Sequence, residues 1–400
     1  MSDLRIAVVG AGQRVSIAQE AHRPGRGARI TTVCDLDPAR LARARTLFGD
    51  DVRTTTRLEE ALDADAIIVA TPDHLHAGHA IAALSAGLPT FVEKPLATTV
   101  DDADRVLEAA RAHGARLYVG HNMRHMPVVR EMRSLIGQGA IGEVTAVWCR
   151  HFVGHGGDYY FKDWHADRRN TTGLLLQKGA HDLDVIHWLA GSRTGLVTAM
   201  GSLGVYGRVE DRSPGLDEHW FDPGRNWPPL SQRGLNPVID VEDLSMVLMR
   251  LDNGVQASYQ QCHYTPDYWR NYTVIGTEGR LENFGDHRGT GVVRVWNRRR
   301  RDYDADGDLV VTVPEAEGGH GGADRALMTE FLRFARDGRA TDTSPVAARD
   351  AVAAAYHATL SLRSGSTPCA VPPVSPEVSA HFAIQDAGIT GGGVGRVPGA

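Results

Sequence analysis

Over the first 120 residues short apolar runs alternate with stretches of helical period, a rhythm that few folds accommodate. RIAVVG (5–10), RITTVCD (29–35), DAIIVAT (65–71), PTFVEK (89–94) and ARLYVG (115–120) read as five strands, each bounded by Gly, Pro or Asp. Between them DPARLARARTLFG (37–49) opens on Asp-Pro and closes on Gly, and TTVDDADRVLEAARAHG (98–114) carries a Thr cap, early acids and a terminal Gly. Crossover helices cover both faces of a parallel sheet, so residues 1–124 are expected to form an α/β, doubly wound Rossmann domain.

The remainder reads differently. GEVTAVWCRHF (142–152), LVTAMGSLGVYG (196–207), DLSMVLMRL (243–251) and VQASYQQCHY (255–264) are β-rich, and Asp252-Asn253-Gly254 is a strong turn signal between the last two. An α+β domain with a largely antiparallel open sheet is expected over 125–385. Residues 207–238, rich in Pro, Gly, Arg and Trp, read as a long loop rather than core, either a specificity lid or an oligomer arm. The tail 386–400, glycine-rich from Gly388 onward, is expected to be disordered.

Charge excludes several functions. With 43 Lys plus Arg against 49 Asp plus Glu, the chain carries −6 and suits neither general nucleic-acid binding nor an anionic membrane surface. The basic run Arg298–Arg301 reads as a solvated turn. Cys34, Cys149, Cys262 and Cys369 lack metal or disulfide-framework spacing and read as reduced, mostly buried thiols. No cleavable signal precedes the first strand and no apolar run approaches the ~20 residues of a membrane span, so a cytoplasmic protein is expected.

The first turn carries phosphate chemistry. Gly10 and Gly12, with Gln13 and Arg14 beside them, follow the first strand, where missing side chains let backbone approach a pyrophosphate. Val15 stands where a third glycine would complete the dinucleotide pattern. Asp35, 25 residues beyond Gly10, can accept both ribose hydroxyls and repel a 2′-phosphate, favouring NAD over NADP; the alternative is a cap for the helix at Pro38. In ATPDHLHAGHA (70–80) the histidines lack a supporting cysteine or acid cluster, so no metal is expected. Thr71 and Pro72 read as a loop under the cofactor, with His76 near its nicotinamide end. In EKPLATT (93–99), Pro95 disfavours helix at Lys94, so the lysine is held at a strand end.

The motifs AVVGAG, VCDLDPAR, ATPDHLH, VEKPLATT and GHNMRHMP (120–127), extended through QKGAHDLDVIHWL (177–189), resemble in order and spacing the glucose-fructose oxidoreductase/inositol dehydrogenase (Gfo/Idh/MocA) family of nicotinamide-dependent sugar oxidoreductases. The resemblance implies that Lys94 reaches the substrate hydroxyl, that Glu93 orients its neighbourhood, and that Arg124 belongs with the substrate groups. It also implies a sheet face that pairs with another subunit, giving a homodimer or homotetramer. Gln177 and His181 are four apart and share a helical face, with Asp184 three further on, so His181 is the natural acid/base and Asp184 a group to orient or charge it. The family pattern places its catalytic histidine here and commonly an aspartate four residues before it. Gln177 departs from that, since an amide can position a hydroxyl but cannot serve as base. Lys178 either supplies charge or faces solvent. Trp164 and His165, within 150–170, and the stretch 262–272 mix rings with polar groups suited to a sugar ring, or else lie at surface or interface. In GGHGGADRAL (318–327), Asp324 is expected to cap a helix, with His320 pointing into the site. The expected activity is NAD-dependent hydride transfer at a secondary hydroxyl of a sugar, cyclitol or glycoside. The alternatives are a redox-neutral glycosidase working through a keto-sugar and a non-catalytic sensor.

Overall fold

The computed structural model describes residues 2–213, 226–286, 291–314 and 317–386. Its first sheet has six strands, β1 (Leu4–Val9), β2 (Ala28–Cys34), β3 (Arg53–Thr55), β4 (Ala66–Val69), β5 (Thr90–Val92) and β6 (Leu117–Val119). The order is β3-β2-β1-β4-β5-β6 and every pair is parallel. The Rossmann expectation holds, with one strand more than the five apolar runs. β3 escapes the pattern because its three residues, Arg-Thr-Thr, lie at the sheet edge and bury only the last. Local signals set the helices between: Asp37 accepts from the Ala39 amide at 2.8 Å to cap Pro38–Phe48. Thr99 likewise accepts from Asp102 at 3.1 Å at the start of Val100–His113, which Gly114 ends at φ 58°.

The second sheet has nine strands, β7 (Val144–Phe152), β8 (Thr194–Ser202), β9 (Leu244–Leu251), β10 (Gln256–Cys262), β11 (Trp269–Gly276), β12 (Arg280–Phe284), β13 (Gly291–Trp296), β14 (Leu309–Val313) and β15 (Cys369–Ala370). They run in the order β14-β13-β12-β11-β7-β10-β9-β8-β15. All neighbours are antiparallel except β7 and β10. The four predicted runs are β7 to β10. The later strands lie outside those runs; TPDYWRNY, whose rings and polar groups suit a pocket, leads into and begins β11.

One face of this sheet carries the Gly179–Ala190 and Pro345–Arg363 helices, with Leu183, Ile186, Ala351 and Ala355 in one core with Val147, Val247 and Tyr259. The chain then returns to the first sheet. In the Ala323–Asp337 helix, Leu327, Phe331 and Phe334 share a core with Ile6, Phe91 and Tyr118, and the Phe331 ring stands 5.4 Å from Phe91. This return brings residues 318–324 to the Rossmann strand ends. The segment 207–238 is not loop alone: Val209 and Leu235 bury with Tyr206, Val153, Phe161 and Leu174 in a small core of their own. Its apolar residues are too widely spaced to show a period. Residues 214–225 of that segment, and the expected disorder of 387–400, lie outside the described residues. Cys34 and Cys149 are buried, Cys262 and Cys369 partly so, and all four are free thiols. The arginine run leaves β13 as an exposed turn in which Arg300 pairs with Asp308 at 2.7 Å.

Candidate active site

The sheet order reverses direction at β1 and β4, where doubly wound folds open a crevice at the carboxyl ends of the strands. Gly10 follows β1 at φ 92°, and a Cβ there would stand 2.6 Å from the Ala70 carbonyl oxygen, so only glycine fits. A Cβ added at Gly12 would meet nothing closer than Arg40 Nη1 at 3.8 Å, and Gln13 is exposed beside it. Asp35, after β2, accepts from the amides of Ala11 at 2.7 Å and Asp37 at 2.9 Å. It is therefore not the helix cap, a role Asp37 fills. Arg40, which the sequence reading passed over, lies 3.7 Å from the Asp35 carboxylate.

Behind this turn runs a chain of charges. Arg14 donates to Glu93 at 2.8 Å through Nε and to Asp324 at 3.1 Å through Nη1. Burial opposes its charge, but Glu93 and Asp324 outweigh that and raise its pKa. Asp324 also accepts from Asn122 at 2.8 Å and meets His320 at 2.9 Å. Asp324 is thus a hub and not the cap: Gly322 precedes the helix and no side chain caps it. His320 sits half-exposed at φ 52°. Arg14, expected to touch a dinucleotide, is held by two carboxylates.

Lys94 ends β5. Its amide donates to Glu93 at 3.1 Å, and its Nζ reaches the main-chain carbonyl of Gln177 at 3.2 Å, joining the two domains. Burial lowers its pKa against the pull of Asp73 and Glu93. Asp73 went unnoticed, because an aspartate in a Pro-Asp turn is commonplace. It is buried, one carboxylate oxygen has no partner among the described residues, and burial pushes it up to about 8 while Lys94 pulls the other way. Thr71 and Pro72 line the loop after β4. His76 joins that loop to the Lys94 turn, its ring nitrogens lying 2.8 Å from the Thr71 carbonyl and 2.7 Å from that of Pro95. Being 1 % exposed, it holds the loops together and presents no ring edge to a ligand.

Across from Lys94 the helix is broken. Leu174–Gln177 ends, Lys178 intervenes, and Gly179–Ala190 begins. Gln177 and His181 are therefore not on one continuous helix. Gly179 lets the second helix start close against Tyr259, because a Cβ there would press to 2.9 Å on that ring. The side-chain oxygen of Gln177 and Nδ1 of His181 are buried and without partners among the described residues. Burial first, then Lys94, Lys178, His121 and Arg270, hold His181 well below its usual range, so the imidazole is neutral.

Asp184 does not reach His181. Both its oxygens take the fork of Arg124, each at 2.7 Å, and the two side chains are 1 % and 6 % exposed. Two residues expected at the substrate are thus a buried ion pair, because a planar guanidinium fits a carboxylate better than an imidazole does. Asp182, unread in the sequence, fills the wall behind His181: it is fully buried and holds His151 at 3.0 Å, Tyr259 at 2.9 Å and Arg270 at 3.1 Å. Arg270 and His151 overcome burial and keep it ionised. The facing wall has Trp164 stacked on His165 with centroids 3.7 Å apart, and His165 bonded to Asp163. Tyr160 stands 5.4 Å from His165, and Lys178 Nζ lies 5.7 Å from the Tyr160 ring. Away from this cleft, His125, Glu330 and Asp342 come together, but Arg130 donates to both His125 and Asp342 and supplies the positive charge there.

Residues 4–121 match the NAD-binding Rossmann fold of an oxidoreductase family, and residues 133–371 match that family's C-terminal α/β domain. Fold and site together define an NAD-binding oxidoreductase. The chain belongs to the Gfo/Idh/MocA family, whose two domains span nearly all of it. YteT of Bacillus subtilis (strain 168), whose name gives an oxidoreductase and no substrate, is 27 % identical over 352 residues, 76 % of this chain and 82 % of its own. An inositol 2-dehydrogenase of Ralstonia nicotianae is 33 % identical over 196 residues, 47 % of this chain and 55 % of its own, so the match spans about half of that enzyme. Among solved structures, levoglucosan dehydrogenase in complex with NADH and levoglucosan superposes with a TM-score of 0.74 at 19 % identity, over 93 % of this chain and 100 % of that one. That last likeness is one of fold. Among the described residues no helix is long and apolar enough to cross a membrane.

Proposed function

We propose that this protein oxidises, or in reverse forms, a secondary hydroxyl of a sugar, cyclitol or glycoside with NAD. The observation that carries the reading is the meeting of Lys94 with the Gln177 carbonyl at 3.2 Å, which sets an ammonium beside the turn that leads to a neutral His181. The inositol 2-dehydrogenase match supports a polyol as substrate. The residues present suit a dinucleotide: Gly10 leaves room where a Cβ would clash, and the Asp35 carboxylate stands at the end of β2. When bound, NAD supplies the hydride acceptor. Lys94 stabilises negative charge growing on the substrate oxygen, His181 accepts the hydroxyl proton, and Gln177, whose amide oxygen has no partner among the described residues, orients the hydroxyl. Glu93 and Arg14 hold the lysine's strand end in place. Trp164 and Tyr160 offer rings to a sugar face.

NAD is preferred to NADP in this reading because the Asp35 carboxylate repels a 2′-phosphate, although Arg40 beside it favours one. The second sheet exposes Trp148, Met200, Met246 and Leu248, of which Met200 and Met246 are directly paired. An apolar sheet face of that kind supports pairing with a second copy. Four free thiols suit the cytoplasm. The deciding experiment follows NADH absorbance with purified protein, NAD and a panel of sugars, cyclitols and aryl glycosides, reading aglycone release in the same wells. NADH growth with one polyol supports the dehydrogenase. Aglycone release without NADH overturns it in favour of the redox-neutral glycosidase.

A further inference from the structure

Arg14, Arg124 and Arg270 are each neutralised within the protein. Arg14 has Glu93 and Asp324, Arg124 has Asp184, and Arg270 has Asp182 at 3.1 Å and Asp286 at 3.6 Å. Lys178 differs. Among the described residues no carboxylate lies within ion-pair distance of its Nζ, and its contact is with the Tyr160 ring, 5.7 Å away. Burial first, then Arg270 and Lys94, push this amine down to about 7, as befits an ammonium that lacks a counter-ion.

Neutral donors gather around the same ring. His263 stands 5.3 Å from Tyr160, is buried, and has no partner among the described residues for either ring nitrogen. Burial keeps this imidazole neutral, so one nitrogen carries a proton to donate. Two residues earlier on β10, and so on the same face of the sheet, Gln261 accepts from the Tyr259 hydroxyl at 3.1 Å through its amide oxygen. Its amide nitrogen is buried and has no partner among the described residues. The Tyr259 ring is in turn the surface against which Gly179, next to Lys178, is seated. The wall at Gln177 and His181 has the opposite character, since the amide oxygen there accepts from a hydroxyl. Hydroxyls or water satisfy the neutral groups of both walls, but neither neutralises a buried ammonium.

We propose that Lys178, Gln261 and His263 form a carboxylate-binding subsite, which makes the substrate a sugar acid or a carboxylated cyclitol rather than a neutral polyol. One uncompensated positive charge matches a monoanion. A phosphate monoester brings nearly two negative charges, and Arg270, the other cation near Lys178, is already paired with Asp182 and Asp286. Lys178 follows the residue whose carbonyl Lys94 holds, so the acid-binding group and the group assigned to the reacting hydroxyl meet at one turn of the chain. The subsite names a substrate class for the dehydrogenase reading and rests on it.

The test compares glucuronate, galacturonate and quinate with their methyl esters, and with glucose, myo-inositol and glucose 6-phosphate. Each ester keeps the ring and its hydroxyls and loses the charge. NADH formation gives kcat and KM, and calorimetric titration into full-length protein saturated with NADH gives affinity without turnover. At least one acid is expected to exceed its ester by ~10-fold or more in kcat/KM and in affinity, the factor a charged hydrogen bond supplies. Lys178→Met should close that gap, with the loss falling on KM, and Lys178→Arg, which keeps the charge, should retain most of it. Acids and esters that behave alike in the wild type overturn the subsite without recourse to any variant. A preference for the phosphate, a gap that Lys178→Met leaves intact, or no binding of any acid overturns it as well. Neutral polyols turned over with no preference for acids retire the subsite and leave the dehydrogenase reading standing. Acid binding that depends on Lys178 but yields no NADH retires the dehydrogenase reading and leaves the subsite.

Discussion

Replacing Arg124 by methionine separates a scaffold role from a substrate-binding one. Its guanidinium meets Asp184 through two bonds of 2.7 Å, with both side chains almost out of water. Charges about 4 Å apart attract by about 4 kcal/mol at an effective dielectric of ~20. Removing one partner of a buried pair costs ~3–5 kcal/mol, because the other charge is left uncompensated. Arg124→Met is therefore expected to lose about 3–5 kcal/mol in equilibrium urea unfolding near neutral pH, and Arg124→Met/Asp184→Leu to recover most of it. The pH dependence has a definite sign. In the wild type burial raises Asp184, but Arg124 and His121 outweigh it and hold the pKa down. The pair's contribution is then full above the unfolded value of ~3.9 and is lost only as pH falls through the depressed one. Without Arg124 burial dominates, the carboxyl shifts up and takes a proton on mild acidification, so the variant's deficit shrinks as pH falls. A single variant within ~1 kcal/mol of wild type, or a double variant that merely sums the singles, would refute the scaffold role.

Lys94→Ala and His181→Ala should each keep NAD affinity by fluorescence titration and lose at least ~100-fold in kcat/KM; near-native turnover removes that residue from the chemistry. Asp35→Ala should shift the ratio of NAD to NADP affinity towards NADP, since Arg40 remains 3.7 Å from the vacated position; an unchanged ratio rejects the assigned role. If two copies pair through the exposed sheet face, Leu248→Asp, at 62 % exposure on that face, should give a smaller species than the wild type in sedimentation while leaving the circular dichroism unchanged. An unaltered sedimentation coefficient rejects pairing through this face.

Much of the frame was legible along the chain. Strand period, the Asp37 and Thr99 caps and the left-handed Gly114 stop involve residues a few positions apart, so nearest neighbours decide them. Lys94 was placed at a strand end by Pro95 alone. β3 and the strands from β11 onward were missed because short or mixed strands show little alternation and acquire their identity from the partners beside them. The partners of the charged groups were not legible either. Arg14 finds Asp324 310 positions away, and Lys94 finds the Gln177 carbonyl 83 away. Spacing suggested that Asp184 would serve His181, yet Arg124, 60 residues earlier, takes both its oxygens. The sequence by itself determined the strands and helices with a clear period, the turn glycine and the lysine just past a strand end, since backbone sterics and hydrogen-bond periods act locally. Only the tertiary structure decided which buried charges are neutralised and which stay open to chemistry, because burial and ion pairing depend on segments that meet only when the chain is folded.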